Sequence, residues 1–309
     1  MFGFGRKHRA SAAPPAPPAS APWVARTWTV ADGLTLHVRD YAPSGGEAKL
    51  PVVCIHGLTR NAADFETVAP WMAARGRRVL AVDVRGRGRS DRDPQPARYI
   101  PPVYAGDILC LLDTLGIARA LFVGTSMGGI ITMVIASLRP LAVAGSVLND
   151  VGATLNSEGL KRIGAYLGNP VKVSGWMEAA DYARSINGRA FPHYGPAQWD
   201  AFARRLFTHN PDGSLHLAYD PDIAVPFKAA DPDAPPPDLT PIFLGLVSGR
   251  PSLLIRGALS DLIDEGRALS MRMLDPQLDY AEVKGVGHAP MLDEPEALDA
   301  LAKFLDSAP

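Results

Sequence analysis

The sequence predicts an α/β protein with a mostly parallel sheet and helices on both faces. Short apolar runs, each the length of a buried strand, recur along the chain. They lie near 51–55, 79–83, 119–123, 143–148, 252–256 and 278–283. Helical stretches alternate with these runs, at about 62–75, 102–115, 127–138, 262–274 and 292–306. This alternation is typical of a parallel sheet, because each parallel strand needs a crossover connection.

An antiparallel hairpin is expected ahead of the parallel strands. Residues 27–30 and 34–41 have strand character and flank Asp32-Gly33, a dipeptide that favours a tight hairpin turn. The hairpin contributes the first two strands, so 143–148 is the sixth strand.

The alternation breaks after the sixth strand, between 151 and 248, an interval too long for a loop. We predict a helical cap domain there, with the core formed by 23–150 and 249–309. The cap's aromatic residues could line an apolar pocket or form the cap's own core, and the second is the default. Trp176 and Tyr182 are our candidates for substrate contact. The proline-rich run 231–241 is interpreted as a return linker on which the cap could move.

Composition excludes several classes of function. The chain has 309 residues, 47% of them hydrophobic, and a net charge of −1, so no global field attracts nucleic acid. No stretch is apolar and long enough to span a membrane. Residues 1–22 are rich in proline and alanine without the apolar segment of a secretory signal, and we expect a disordered tail. A cytoplasmic location is expected, and the oligomeric state is left open.

Ser126 is the candidate nucleophile. It lies in Gly124-Thr125-Ser126-Met127-Gly128, between a predicted strand and a predicted helix. A serine between two such glycines can sit on a strained strand-to-helix turn that exposes its hydroxyl, and a Cβ at either glycine would crowd the neighbouring elements. The N–H of Met127, at the helix N-terminus, would face negative charge forming beside the serine.

His288 is the candidate base. It lies in the loop Gly285-Val286-Gly287-His288, after the last predicted strand. A loop histidine can reach a neighbouring strand end, and its pKa near neutrality suits a base that accepts a serine proton.

Asp261 is the predicted acid partner of His288. It follows the strand 252–256 by a few residues, where functional groups of open α/β sheets gather. Its role would be to orient and stabilise the imidazole, although it could instead cap the following helix. Asp264 is a weaker rival, and Asp150, at the end of strand 143–148, is a more serious one.

The order Ser126, Asp261, His288 resembles that of the α/β-hydrolases with a cap domain, and the resemblance covers about 27–307. Val52 to Leu58 resembles the family's strand ending in His-Gly, and Asp83 to Ser90 resembles its D-x-R-G-x-G-x-S loop. The resemblance implies that Leu58 N–H is the second oxyanion donor, beside Met127 N–H. Nucleotide binding by this second run is not expected, because the helix-opening third glycine of a phosphate loop is missing.

The resemblance implies hydrolysis through an acyl-enzyme, with no cofactor. We also find no metal-ligand spacing of cysteine and histidine. The preferred substrate is a carboxylic ester or lactone of a small to medium apolar molecule. Ser126 argues against epoxide hydrolases and dehalogenases, which carry an aspartate there. Two alternatives are a carbon–carbon bond hydrolase acting on a diketone-like ring-cleavage product and a ligand sensor with slow turnover.

The sequence does not decide whether an arginine binds a second carboxylate of the substrate. An arginine that holds a second carboxylate would favour the carbon–carbon hydrolase, and the candidates are Arg60, Arg162, Arg184 and Arg189. The clusters at 75–78 and 85–92 are interpreted as a solvated face with ion pairs rather than a binding patch.

Overall fold

The structure is a computed structural model that describes residues 22–44, 49–210, 212–231 and 234–309. Most of the predicted N-terminal tail and part of the return linker, residues 232–233, lie outside the described residues. Within them, no helix combines the length and apolar character needed to cross a membrane.

Eight strands form one sheet in the order β1-β2-β4-β3-β5-β6-β9-β10. The strands are β1 (Val24–Thr29), β2 (Thr35–Tyr41), β3 (Val52–Ile55), β4 (Val79–Asp83), β5 (Ala120–Thr125), β6 (Val143–Asn149), β9 (Ser252–Gly257) and β10 (Asp279–Val283). Strand β2 pairs antiparallel with β1 and β4, and the other pairings are parallel. The prediction of a mostly parallel sheet after an entry hairpin is therefore confirmed.

Helices cover both faces of this sheet. They are α1 (Val68–Ala73), α2 (Pro101–Thr114), α3 (Met127–Leu138), α9 (Glu265–Leu274) and α10 (Pro295–Ser307), together with α8 (Thr240–Val247), which packs against α3. The helix predicted at 62–75 is divided, because a 3₁₀ turn, Ala62–Phe65, precedes α1. The side chains of Asp83 and Asn61 accept the first N–H groups of this turn, which stabilises it as a separate element.

Alternate residues of each central strand enter two different cores. In β3, Val53 and Ile55 pack with α2 and α3, whereas Val52 and Cys54 pack with α1 and α10. This follows from the period of two in a strand, which sends successive side chains to opposite faces. Burial on both faces explains why the central strands are continuous apolar runs rather than alternating ones.

Residues 151–248, called the insertion below, join β6 to β9. They contain α4 (Ser157–Tyr166), α5 (Trp176–Asn187), α6 (Pro196–Leu206), α7 (Ala224–Ala229) and α8, and a hairpin of β7 (Phe207–His209) and β8 (Leu215–Leu217). The prediction for this interval was a helical cap, so the β7–β8 hairpin differs from it. Most of its aromatic residues, Trp199 and Phe202 among them, form a core of its own.

Four of the hydrogen bonds that join the insertion to the sheet domain involve the loops after β3, β4 and β10. Three of the bonds join two main-chain groups and the fourth has a side-chain donor. They are Asn61 Nδ2 to Arg205 O at 2.7 Å, Gly88 N to Ala218 O at 2.8 Å, Asp220 N to Gly86 O at 2.7 Å and Gly287 N to Ala190 O at 2.7 Å. Backbone bonds of this kind fix the insertion's position over the ends of β3, β4 and β10.

The interpretation of the two arginine clusters as a solvated face is wrong for three of their members. Arg77, Arg85 and Arg87 are at most 2% exposed. Arg85 is held by three carboxylates, whereas Arg77 donates to the backbone carbonyls of Leu50, Leu305, Ala308 and Pro309. These partners come from distant parts of the chain, so the run of arginines alone could not reveal them.

Candidate active site

Ser126 lies on a sharp turn between β5 and α3. Its backbone has φ 53° and ψ −115°, a left-handed conformation that is strained for a residue with a side chain. Its N–H donates to Asn149 O at 2.9 Å, and its carbonyl accepts the N–H of Gly129 at 2.9 Å. These bonds hold the strained turn in place and leave the hydroxyl at the wall of a pocket.

The two flanking glycines are required by close packing, as the sequence predicted. A Cβ on Gly124 would lie 2.5 Å from the backbone of Gly128, and a Cβ on Gly128 would lie 2.0 Å from Ile55 O. Such contacts are far shorter than packed atoms allow, so a side chain at Gly124 would displace α3 from β5 and one at Gly128 would displace α3 from β3.

The substitution Gly128→Ala is expected to lower the free energy of unfolding by about 3 kcal/mol or more, because the backbone of Ile55 cannot move without disturbing the sheet. Urea denaturation of the purified proteins measures this change. Gly106→Ala is the matched control, since Gly106 is an exposed residue of α2 with no atom within 4 Å of an added Cβ. The control is expected to gain up to about 1 kcal/mol, and equal stability of the two variants would contradict the packing argument.

His288 joins Ser126 to a buried carboxylate. Its Nε2 lies 2.9 Å from Ser126 Oγ, and its Nδ1 lies 2.7 Å from Asp150 Oδ2. Since a carboxylate accepts hydrogen bonds, Nδ1 carries the proton and Nε2 is free to accept the serine hydroxyl. Asn149 Nδ2 donates to Pro290 O at 2.8 Å and to Thr125 Oγ1 at 3.0 Å, which ties the histidine loop to the end of β5.

The carboxylate beside His288 belongs to Asp150, so the prediction of Asp261 is corrected. Asp150 is fully buried at the end of β6, with φ 56°. Besides His288, its oxygens accept Gly257 N–H at 2.8 Å and Ser260 Oγ–H at 2.6 Å. The carboxylate that contacts His288 therefore follows β6, not β9 as predicted. Ser260, which donates to Asp150, was not identified from the sequence.

Asp261 instead pairs with Arg162 of the insertion. The Arg162 guanidinium contacts both carboxylate oxygens of Asp261, the second at 2.8 Å. Burial raises the pKa of Asp261, but the hydrogen bonds and charge of Arg162 outweigh burial and hold that pKa below its usual value. Arg162 is thus occupied by an ion pair and is a poor candidate for holding a substrate carboxylate.

The loop after β3 brings the predicted oxyanion donor Leu58 close to the nucleophile. A Cβ on Gly57 would lie 3.8 Å from Ser126 Cβ, so the loop backbone is adjacent to the serine. His56 fixes this loop, because its Nδ1 donates to Gly57 O at 2.7 Å and its Nε2 accepts Val84 N–H at 3.1 Å. Burial lowers the pKa of His56 to about 4, which keeps it neutral and able to accept from Val84.

Arg87 spans the two segments that carry the oxyanion candidates. Its Nε donates to Leu58 O at 3.0 Å, one Nη lies 3.7 Å from Met127 Sδ, and the other donates to Tyr104 Oη at 2.9 Å. Met127 is the first residue of α3, so its N–H is one of those that a helix leaves unpaired at its N-terminus. Sequence reasoning missed Arg87, and only the general D-x-R-G-x-G-x-S pattern drew attention to that loop.

A small pocket of about 80 Å³ opens beside Ser126 and His288. Its walls include residues 57–60 of the loop after β3 and the insertion residues Ile163, Tyr166, Asn187, Phe191 and Phe202. Trp176 and Tyr182 are not among the lining residues. They pack instead in the insertion's own core, where Tyr182 meets Phe207 edge to face at 5.7 Å, so their assignment as substrate contacts is corrected.

The part of the chain that the structure describes holds no group of three or more histidine, cysteine, aspartate or glutamate side chains placed to bind a metal ion. Cys54 and Cys110 are both free thiols.

Comparison with known proteins identifies the family. Residues 52–301 match the sequence model of the Alpha/beta hydrolase family. The chain is an alpha/beta hydrolase. The match spans most of the sheet domain and the whole insertion, so it agrees with the fold that the sequence predicted.

Three relatives of this hydrolase are similar over nearly their whole length. The 3-hydroxybutyrate-oligomer hydrolase of Cupriavidus necator is 35% identical over 88% of this chain and 94% of its own. The 2-(acetamidomethylene)succinate hydrolase of Mesorhizobium japonicum is 28% identical over 89% of this chain and 92% of its own. The crystal structure of an alpha/beta hydrolase from Novosphingobium aromaticivorans has a TM-score of 0.87 and 38% identity, covering 93% of this chain and 99% of that one.

Proposed function

We propose that this hydrolase cleaves carboxylic esters through an acyl-enzyme on Ser126. The observation that carries the proposal is the hydrogen-bonded series Ser126 Oγ, His288 Nε2, His288 Nδ1 and Asp150 Oδ2, with distances of 2.9 and 2.7 Å. A serine, an imidazole and a buried carboxylate in this order form the arrangement used for nucleophilic acyl transfer.

In this mechanism His288 Nε2 takes the hydroxyl proton while Ser126 Oγ forms a bond to the ester carbonyl carbon. The resulting oxyanion accepts hydrogen bonds from Leu58 N–H and Met127 N–H. His288 then donates the proton to the leaving alcohol oxygen as the carbon–oxygen bond breaks. A water molecule, deprotonated by the same imidazole, attacks the acyl carbon. The bond from this carbon to Ser126 Oγ then breaks, His288 returns the proton to Oγ, and the product acid leaves.

Asp150 supports this cycle as a carboxylate and does not itself take up a proton. Its carboxylate holds Nδ1–H and stabilises the imidazolium that forms when Nε2 accepts the serine proton. Because Gly257 N–H and Ser260 Oγ–H fix the carboxylate, the imidazole is oriented before substrate arrives.

The substrate class we propose is the ester of a short hydroxy acid. The pocket volume of about 80 Å³ is well below the roughly 300 Å³ of a site for a drug-sized ligand, which favours a short acyl group. The Cupriavidus necator relative is named for oligomers of 3-hydroxybutyrate, which is a short hydroxy acid. We also propose that the insertion acts as the cap that closes this pocket, since Phe191 and Phe202 supply part of its wall.

Covalent labelling tests the proposed nucleophile. A fluorophosphonate should phosphonylate Ser126 Oγ with release of fluoride, and loss of p-nitrophenyl butyrate hydrolysis should follow the fraction labelled. Mass spectrometry of the peptide that contains Ser126 measures this fraction. Full labelling with undiminished hydrolysis, or modification at another serine that accounts for the loss, would overturn the assignment.

A further inference from the structure

Arg60 has one nitrogen whose N–H groups find no acceptor among the described residues. Its side chain lies in the pocket wall and is 13% exposed. Its Nε and one Nη donate to the two oxygens of Asp64, at 2.8 and 2.5 Å. The remaining nitrogen, Nη1, is buried and has no hydrogen-bond partner among the described residues. A buried N–H without a partner is costly, so this donor suits a ligand atom that supplies an acceptor.

The Arg60 guanidinium is also rigidly held. The paired bonds to Asp64 fix its plane, and its central carbon lies 4.0 Å from the centroid of the Phe202 ring. Phe202 lines the same pocket, and a cation over an aromatic face is favourable. A guanidinium that is already immobile loses little conformational entropy when it binds a ligand.

The local charge favours an anionic ligand. Arg205 lies on the same Phe202 ring, with its central carbon 5.8 Å from the centroid. Burial raises the pKa of Asp64, but the charges of Arg60 and Arg205 outweigh burial and lower it. The nearest carboxylate to Arg205 in an ion pair is Glu66, at 3.8 Å and 48% exposed. The guanidinium groups of Arg60 and Arg205 therefore both act on the buried carboxylate of Asp64, and water screens the charge of Glu66.

We propose that Arg60 Nη1 binds a free carboxylate on the substrate, carried by the hydroxy acid that leaves when the ester is cleaved. The inference rests on the proposed ester hydrolysis and narrows its substrate to esters of hydroxy acids with the acid group ionised. Asp64 occupies two of the five N–H groups of Arg60, and the two N–H groups on Nη1 stay free to donate charge-assisted hydrogen bonds to a substrate carboxylate.

Two probes with a single scissile ester test this selectivity. They are 3-(butyryloxy)butyric acid, which is anionic at pH 7.5, and its neutral N-methylamide. We expect the wild-type ratio of kcat/KM for acid over amide to fall by about tenfold or more in Arg60→Gln, mainly through a higher KM for the acid. Arg60→Lys is expected to recover part of the ratio, because it restores the charge.

The controls separate a specific loss from general damage. Arg60→Gln leaves Asp64 buried without its partner, so the double variant Arg60→Gln/Asp64→Asn removes both charges and should show the same lowered ratio. Arg139→Gln breaks the similar two-bond pair between Arg139, which follows α3, and the exposed Asp113 of α2, and should keep the wild-type ratio.

The outcomes are distinct for the two proposals. An unchanged acid-to-amide ratio in all Arg60 variants would overturn the carboxylate subsite while leaving ester hydrolysis intact. A wild-type enzyme that cleaves neither probe nor p-nitrophenyl butyrate would instead overturn the proposed function, and with it the subsite.

Discussion

Replacing Ser126 with alanine is expected to lower kcat for p-nitrophenyl butyrate by on the order of 10⁶-fold. The alanine has no oxygen to form the acyl-enzyme, and His288 Nε2 loses the group that lies 2.9 Å away. Only binding and the oxyanion donors would remain, which leaves a small residual rate over water. Initial rates and pre-steady-state release of p-nitrophenol measure the change, and the early burst of acylation should be absent.

Ser137→Ala is the matched control for this variant. Ser137 lies on α3, is exposed, and donates only to Met133 O within its own helix. We expect wild-type rates for it and the same unfolding midpoint. Turnover in Ser126→Ala within tenfold of the wild-type rate would remove the serine from the mechanism.

Asp150→Asn is expected to lower kcat by on the order of 10⁴-fold. An asparagine amide in this place would donate to Nδ1, so the imidazole proton would move to Nε2, where it blocks acceptance of the serine proton. Steady-state kinetics between pH 6 and 9 measure this effect.

Asp261→Asn provides the comparison for Asp150→Asn, since the substitution is the same and the residue also follows a sheet strand. Its partner is Arg162, so we expect a loss of no more than about tenfold, through the contact between the insertion and the sheet domain. The opposite ranking of the two variants would return the acid role to Asp261 and contradict the observed hydrogen bond.

The nucleophile turn could be predicted from sequence because its determinants are local. The close approach of Gly124 and Gly128 to neighbouring backbone depends on a few adjacent residues, and the strand and helix on either side have clear apolar patterns. The strand and helix positions were predictable for the same reason. The bounds of α3, for example, agree with the predicted 127–138.

The acid was not predictable because it depends on how two neighbouring strands end. Asp150 and Asp261 follow β6 and β9, which are adjacent in the sheet. Sequence position alone does not show which of the two aspartates contacts His288. The choice is made by the left-handed backbone of Asp150, with φ 56°, and by the bond from its N–H to Ile255 O at 2.7 Å. Neither of these features leaves a pattern in the sequence.

The buried arginines were missed for a related reason. Arg87 contacts Leu58, Tyr104 and Met127, which are 17 to 40 positions distant along the chain. A charged residue is ordinarily exposed, and only its partners explain an exception. Side-chain partners from separate loops are set by tertiary packing, on which the local pattern of charges gives no information.

Four of the hydrogen bonds between the insertion and the sheet domain, those made by Asn61, Gly86, Gly88 and Gly287, limit how this enzyme can be re-engineered. A chimaera that takes residues 151–248 from another hydrolase keeps these links only if the donor offers carbonyl groups where Ala190, Arg205 and Ala218 now lie and an N–H in place of Asp220. A graft chosen only for its pocket side chains would leave the loops after β3, β4 and β10 without these hydrogen bonds. Library design for altered specificity should therefore vary the wall residues and retain those four attachment points.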